Sequence, residues 1–185
     1  MTLTERLARV KLLCCDWDGC FTDNHVYTFA DGSEAVRTSR ADGIGIKRLQ
    51  ALGIPVIVLT GEPPFYKGRK SIAAVRCEKL GIPIFHGEPK LPLLEQSAAY
   101  YRVSLGEAAY VGNDVNDLDC LGAVGFPFLV ADHDLKMIPA PLCLMEYGTT
   151  SRAGGDAAVR EVCDAIADAI EQHKPNLQRV AGALS

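Results

Sequence analysis

Two aspartates one residue apart, Asp16 and Asp18, follow the apolar run Leu12-Leu13-Cys14-Cys15 and precede Gly19. Carboxylates this close repel, so they need a shared proton or a shared cation, and a hard divalent ion held by oxygen ligands is the usual resolution. Thr22 and Asp23 can tie the loop back through side-chain hydrogen bonds. A second acidic, glycine-led stretch, Gly112-Asn113-Asp114-Val115-Asn116-Asp117, follows Ala108-Ala109-Tyr110-Val111. Between the two, Thr60-Gly61-Glu62 closes the run Pro55 to Leu59, and a hydroxyl with free backbone N–H groups suits an anion such as phosphate. Lys90 opens a helical segment, where it can give a phosphate a point charge or simply face water. Each signal is weak alone, because Asp-x-Asp-Gly is also an ordinary surface turn and Thr-Gly says little.

The elements that must position these residues are buried strands. Apolar runs that stop at polar turns read as central parallel strands, and ligands in open α/β sheets collect beyond the carboxyl ends of such strands. Asp42 is expected to cap a helix with Ile46, Leu49 and Leu52 on one face, stopped by Gly53. Further helices are expected from Ser71 to Leu80, from Lys90, through Leu118, Leu121 and Val124, and through Val159, Val162, Cys163, Ile166 and Ile170. Pro83-Ile84-Phe85, Phe128-Leu129-Val130 and Leu142-Cys143-Leu144 read as short strands. Strands and helices alternate throughout, which predicts a three-layer α/β sheet, mostly parallel. Ala30-Asp31-Gly32-Ser33 predicts a β-hairpin over about 25–37, as a plain edge, a cap or an oligomer contact. Lys67, Arg69 and Lys70 after Pro63-Pro64 read as solvated surface.

At 185 residues the chain is expected to form one domain over 1–174, with a disordered tail at 175–185 after Lys174-Pro175. A net charge of −4 argues mildly against nucleic acid or an anionic membrane as partner. The first residues lack a signal-peptide core, and no apolar stretch approaches the roughly 18 residues needed to span a bilayer, so a cytoplasmic protein is expected. Seven cysteines, an odd number without Cys-x-x-Cys spacing, indicate neither a disulfide framework nor a structural zinc site.

Taken in order, these stretches resemble the haloacid dehalogenase-like superfamily of aspartate-nucleophile phosphatases. Asp16-Trp17-Asp18-Gly19 resembles the first motif, Leu59-Thr60-Gly61 the second, Lys90 the third and Gly112 to Asp117 the fourth. The hairpin, Ala41 to Ile46, and Gly154-Gly155-Asp156-Ala157-Ala158-Val159-Arg160-Glu161 narrow the resemblance to small-capped phosphatases of eight- and nine-carbon keto sugar acids, including the phosphatase-like domain of some sialic acid cytidylyltransferases. The resemblance implies a Rossmann-like fold, Mg2+ and a homotetramer whose sites are completed by neighbours. It implies Asp16 as nucleophile, Asp18 as acid/base, and Thr60 and Lys90 as phosphate-binding groups. It places the metal on Asp16, the backbone carbonyl of Asp18 and Asn113, with Asp114 adjacent, coordinating directly or orienting a metal-bound water. Gly61, Glu62 and Lys79 would meet the substrate, Arg152 would meet it in a neighbouring subunit's site through the segment Arg152 to Ala157, and Glu62 with Lys79 points to a nonulosonate-type 9-phosphate rather than the octulosonate 8-phosphate. A non-catalytic sugar-acid-binding or tetramerising domain is the rival expectation.

Overall fold

The computed structural model describes residues 2–134 and 148–182, with side chains described as far as 173. Helix α1 (Leu3–Leu7) leads into β1 (Leu12–Cys15), then the hairpin β2 (Thr22–Thr28) and β3 (Glu34–Thr38), and helix α2 (Ala41–Ala51). Strand β4 (Val56–Thr60) is followed by a small hairpin, β5 (Phe65–Tyr66) and β6 (Arg69–Lys70), then α3 (Ile72–Leu80), β7 (Ile84–His86) and α4 (Lys90–Tyr101). The chain continues through β8 (Ala108–Gly112), α5 (Leu118–Ala123), β9 (Phe126–Leu129), β10 (Gly148–Thr149) and α6 (Ala158–Gly182).

Six strands form one sheet in the order β10-β9-β8-β1-β4-β7, with every pairing parallel. The chain lays β4 and β7 on one side of β1 and then returns to lay β8, β9 and β10 on the other. A crevice therefore opens between the ends of β1 and β8, the place where doubly wound sheets bind ligands. Alternate residues of each strand feed opposite faces. Leu13, Cys15, Val56 and Val58 join the core under α2, α3 and α6, whereas Leu12, Cys14, Ile57, Leu59 and Tyr110 join the core under α4 and α5. By this parity Asp16, next in the series Leu12, Cys14, turns toward the face covered by α4, the helix that Lys90 opens.

Several local expectations need correction. Asp42 does not cap α2: Arg40 holds the cap position without a side-chain bond, and Asp42 Oδ1 instead accepts the backbone N–H of Arg160 in the first turn of α6 (3.0 Å). A carboxylate that can reach an orphan N–H of a neighbouring helix gains more there than on its own. The helix α6 runs on through Pro175 to Gly182 rather than stopping at Lys174-Pro175, since proline removes one intrahelical donor without forbidding the turns beyond it. The segment after Pro63-Pro64 folds into β5–β6 and leaves α3 capped on time by Ser71, whose side chain accepts from Ala74 N–H, and ended by a left-handed Gly81. The strand expected at Leu142-Cys143-Leu144 lies outside the described residues. Among those described, six cysteines are free and buried, and no helix is long and apolar enough to cross a membrane.

Candidate active site

Asp16 leaves β1 with its N–H still bonded to the Val111 carbonyl (2.9 Å), so its position is fixed by the sheet. It is 4% exposed. Its Oδ1 accepts from the Trp17 N–H (2.7 Å) and from Lys90 Nζ (2.6 Å). Burial and the nearby Asp117 push its carboxyl above the usual range, while Lys90 and the Trp17 N–H pull it back. Burial works against the charge on Lys90; Asp16 and Asp117 more than offset this and hold the ammonium charged beyond its ordinary range.

Asp18 opens to the cleft two residues further on. Its carboxyl is raised by partial desolvation, against a Thr22 hydroxyl bond (3.4 Å) and the charge of Lys90. Asp16 is raised as well, so what sets the two carboxyls apart is the Lys90 ammonium bonded to Asp16 and the opening of Asp18 to the cleft, not these shifts. Gly19 adopts φ +77°, and a side chain on it would collide with Asn113, so this turn requires glycine twice over. Gly154 packs directly on the backbone of Gly19 and Thr22 from the other side.

The loop after β8 is organised by Asp117, which is wholly buried. Oδ1 accepts from Lys90 Nζ (2.9 Å) and the Tyr110 hydroxyl (2.7 Å), and Oδ2 from the backbone N–H groups of Asn113 (2.8 Å) and Asp114 (3.4 Å). Thus Asp117 places Lys90 and shapes the loop that presents Asn113. Sequence reasoning quoted this residue without giving it a task; the signal was an acid at the end of a glycine-led turn facing a lysine known to be needed elsewhere.

The Asn113 amide end that faces Asp16 Oδ2 (3.3 Å) and the Asp18 carbonyl oxygen (3.0 Å) has only acceptors before it. If nitrogen occupies that position it donates to both; if oxygen does, three oxygens converge with no proton between them. One carboxylate, one amide oxygen and one backbone carbonyl form a donor set that fits a hard cation such as Mg2+. Among the described residues no group of three His, Cys, Asp or Glu side chains could hold a metal, because two of these three oxygens come from an amide and the backbone.

A scan against protein-family models finds no match. The chain is 34% identical over 160 residues to N-acylneuraminate cytidylyltransferase A of Danio rerio, spanning 85% of this chain and 35% of that protein, about a third of its length. It is 32% identical over 164 residues to the 3-deoxy-D-manno-octulosonate 8-phosphate phosphatase KdsC of Yersinia pestis, spanning 88% of this chain and 82% of that one. The chain belongs to the 3-deoxy-octulosonate 8-phosphate phosphatase family of haloacid dehalogenase-like phosphatases. The crystal structure of the Yersinia pestis phosphatase superposes with a TM-score of 0.80 over 93% of this chain and 88% of that one. A Moraxella catarrhalis member of the family, solved with a magnesium ion, a phosphate ion and a 3-deoxy-octulosonate molecule, superposes at 0.78 with 27% identity over 96% of this chain and 97% of that one.

Within this family frame, Asp16, Asp18, Lys90 and Asn113 come together at the crevice. Thr60 is buried at the end of β4, its hydroxyl oxygen accepting from the Glu62 N–H (3.1 Å), and Gly61 beside it leaves room for the Glu88 side chain, which a Cβ there would meet. The Glu62 backbone is held by His86 Nδ1 (2.7 Å), and its side chain lines a cavity with Trp17 and Asp18. The remaining expected residues are placed as follows. Asp114, next to Asn113, caps its own 3-10 turn, its Oδ1 accepting from Val115 N–H (2.7 Å). Lys79 lies on the exposed side of α3 and lines neither cavity beside Asp18. Arg152 lines a separate surface hollow with Arg160 and Asp164, and the glycines after it make their close approach to this chain's own Gly19–Thr22 loop.

Proposed function

We propose that this chain is a magnesium-dependent phosphatase that removes the terminal phosphate of a keto-deoxy sugar acid, with 3-deoxy-D-manno-octulosonate 8-phosphate as its substrate. The observation that carries the reading is the buried Asp16–Lys90 pair with Asp18 open to the cleft two residues away. A binding module has no need of an acid beside a buried, charge-paired carboxylate.

Asp16 attacks phosphorus, forming an aspartyl-phosphate as the bond to the sugar oxygen breaks, and Asp18 gives its proton to that oxygen. Asp18 then takes a proton from water, which attacks phosphorus, releases phosphate and returns Asp16 as carboxylate. Lys90 and the Thr60 hydroxyl neutralise and orient the phosphoryl oxygens, and Asp117 keeps Lys90 aimed. A magnesium ion on Asp16, the Asp18 carbonyl and Asn113 would supply charge stabilisation to the same oxygens.

The cytidylyltransferase relationship and Glu62 favour a second reading, a nonulosonate-type 9-phosphate. The position of Lys79 outside the cleft removes half of the sequence argument for it, so the eight-carbon acid takes precedence. Hairpin β2–β3 exposes Val26 (54%), Tyr27 (60%) and Phe29 (54%), an apolar surface that supports assembly into a homotetramer through this hairpin. Free, buried thiols fit a reducing compartment and so a cytoplasmic enzyme. The test is phosphate release with magnesium from both acids. Faster turnover of the octulosonate 8-phosphate supports the reading, preference for the nine-carbon acid transfers it to the second, and no release from either favours a binding role.

A further inference from the structure

The cleft beside Asp18 continues past the residues that the reaction uses. A cavity of about 240 Å3 at Trp17, Asp18 and Asn24 shares the wall Glu34, Glu62 and Ile72 with a second cavity of about 410 Å3, whose far side is Tyr66, Arg69 and Lys70 of hairpin β5–β6. Along this path the charges are ordered. Glu62 stands at the junction, its carboxylate met by the Ser71 hydroxyl and the Ala73 N–H, with one oxygen, Oε2, buried and without a bond of its own. Beyond it, Lys70 is held by Glu78 (2.9 Å) and Lys67 lies over the Tyr66 ring (5.2 Å). Arg69, paired across the hairpin with Tyr66, has no ion-pair or hydrogen-bond partner among the described residues.

A buried acceptor without a donor costs free energy unless a ligand supplies one, and sugar hydroxyls are donors. An unpaired guanidinium at the rim of a cleft is suited to a carboxylate, which it can meet through two parallel N–H bonds. A sugar acid phosphate carries these groups in the same sequence, with phosphate at one end, hydroxyls between and carboxylate at the other. We propose that hairpin β5–β6 is the carboxylate-binding wall of the substrate cleft, with Arg69 meeting the substrate carboxylate while Glu62 Oε2 accepts a hydroxyl between it and the phosphate. This rests on the phosphatase reading above and adds to it the residue that distinguishes an acid from a neutral sugar phosphate.

The experiment compares kcat/KM for 3-deoxy-D-manno-octulosonate 8-phosphate with that for its carboxylate methyl ester, in wild type, Arg69→Ala and Arg69→Lys. The acid-over-ester ratio should fall about tenfold in Arg69→Ala, through KM rather than kcat, the scale of one partly exposed charged hydrogen-bonded pair. Arg69→Lys should recover part of the ratio, because the charge returns without the fork. The hairpin is exposed, so thermal melting of both variants should match wild type. A selective wild type with Arg69→Ala equally selective would overturn the inference and leave the phosphatase reading standing, as would equal losses on acid and ester. A wild type that hydrolyses both alike would overturn the inference alone, whereas one that hydrolyses neither compound would overturn the reading and the inference together.

Discussion

The turns at the ends of β1 and β8 are neighbours, both acidic and both glycine-led, yet their carboxylates serve opposite ends. In the β8 turn, Asp117 has donors on both oxygens: an ammonium, a hydroxyl and two backbone N–H groups. In the β1 turn, Asp16 has donors on Oδ1 while Oδ2 faces the Asn113 amide end, which also faces the Asp18 carbonyl. A carboxylate filled by protein donors is an anchor; one with an oxygen left toward other oxygens is a ligand and a nucleophile. The difference comes from distance along the chain. Asp16 is the first residue past its strand and keeps the strand's direction, whereas Asp117 is carried back by a 3-10 turn over Val115–Asp117 to Lys90, Tyr110 and the N–H groups of its own loop.

Exchanging the two duties should give opposite signatures. Asp16→Asn should lower single-turnover phosphate release by at least ~10³ while urea unfolding stays close to wild type, because Lys90 keeps Asp117 as its counter-charge. Asp117→Ala should do the reverse in kind. Leaving a buried ammonium, a hydroxyl and two N–H groups short of an acceptor should cost about 3–5 kcal/mol in urea unfolding, with activity falling as a consequence. Comparable stability of the two variants would erase the distinction between anchor and nucleophile.

A carboxylate outside both turns provides an intermediate case. Asp42 is wholly buried, with one oxygen bonded to the Arg160 N–H and the other without a partner. Burial pushes its carboxyl up to about 6, against the Arg160 bond and nearby arginines. A folded value above the unfolded one of roughly 3.9 means that the native state binds more protons between those values, so stability falls as pH rises through that window. Asp42→Asn keeps an acceptor for Arg160 and removes the charge. It should match wild type near pH 4 and exceed it at pH 7 by up to about 2 kcal/mol, as read by thermal unfolding across that range.

The smallest effects concern the two residues that open the β8 turn. Asn113→Asp adds a negative charge where an amide faces Asp16, and should lower the magnesium concentration for half-maximal activity by about tenfold. Asp114→Asn should leave that concentration within about twofold and stability within ~0.5 kcal/mol, since asparagine caps a turn as well as aspartate does. A sharp rise in the magnesium requirement on Asp114→Asn would bring Asp114 back as a metal ligand.

Asp16, Asp18, Thr60 and Lys90 were legible because each sits where an apolar run ends or a helix begins, and the two-residue period of a strand carries direction as well as burial. The work of Asp117 was not legible, because its direction depends on a single turn of 3-10 helix that leaves no periodic trace. Lys79 was assigned by resemblance to a position whose facing depends on the rotation of α3. Hairpin β5–β6 escaped because two-residue strands have no alternation to read, and its basic residues looked like ordinary surface. The parallel sheet itself was written plainly in the apolar runs Leu12–Cys15, Val56–Leu59 and Ala108–Val111, since strands buried on both faces show no polar interruptions.

The account stands most directly on where phosphorus goes first. In a turnover with octulosonate 8-phosphate and magnesium, quenched in acid within a single cycle and digested for mass spectrometry, the account predicts a phosphoryl group on the peptide containing Asp16, absent in Asp16→Asn and accumulating when Asp18→Asn slows its hydrolysis. Rapid phosphate release with no acyl-phosphate on that peptide, and with Asp16→Asn still turning over, would contradict it.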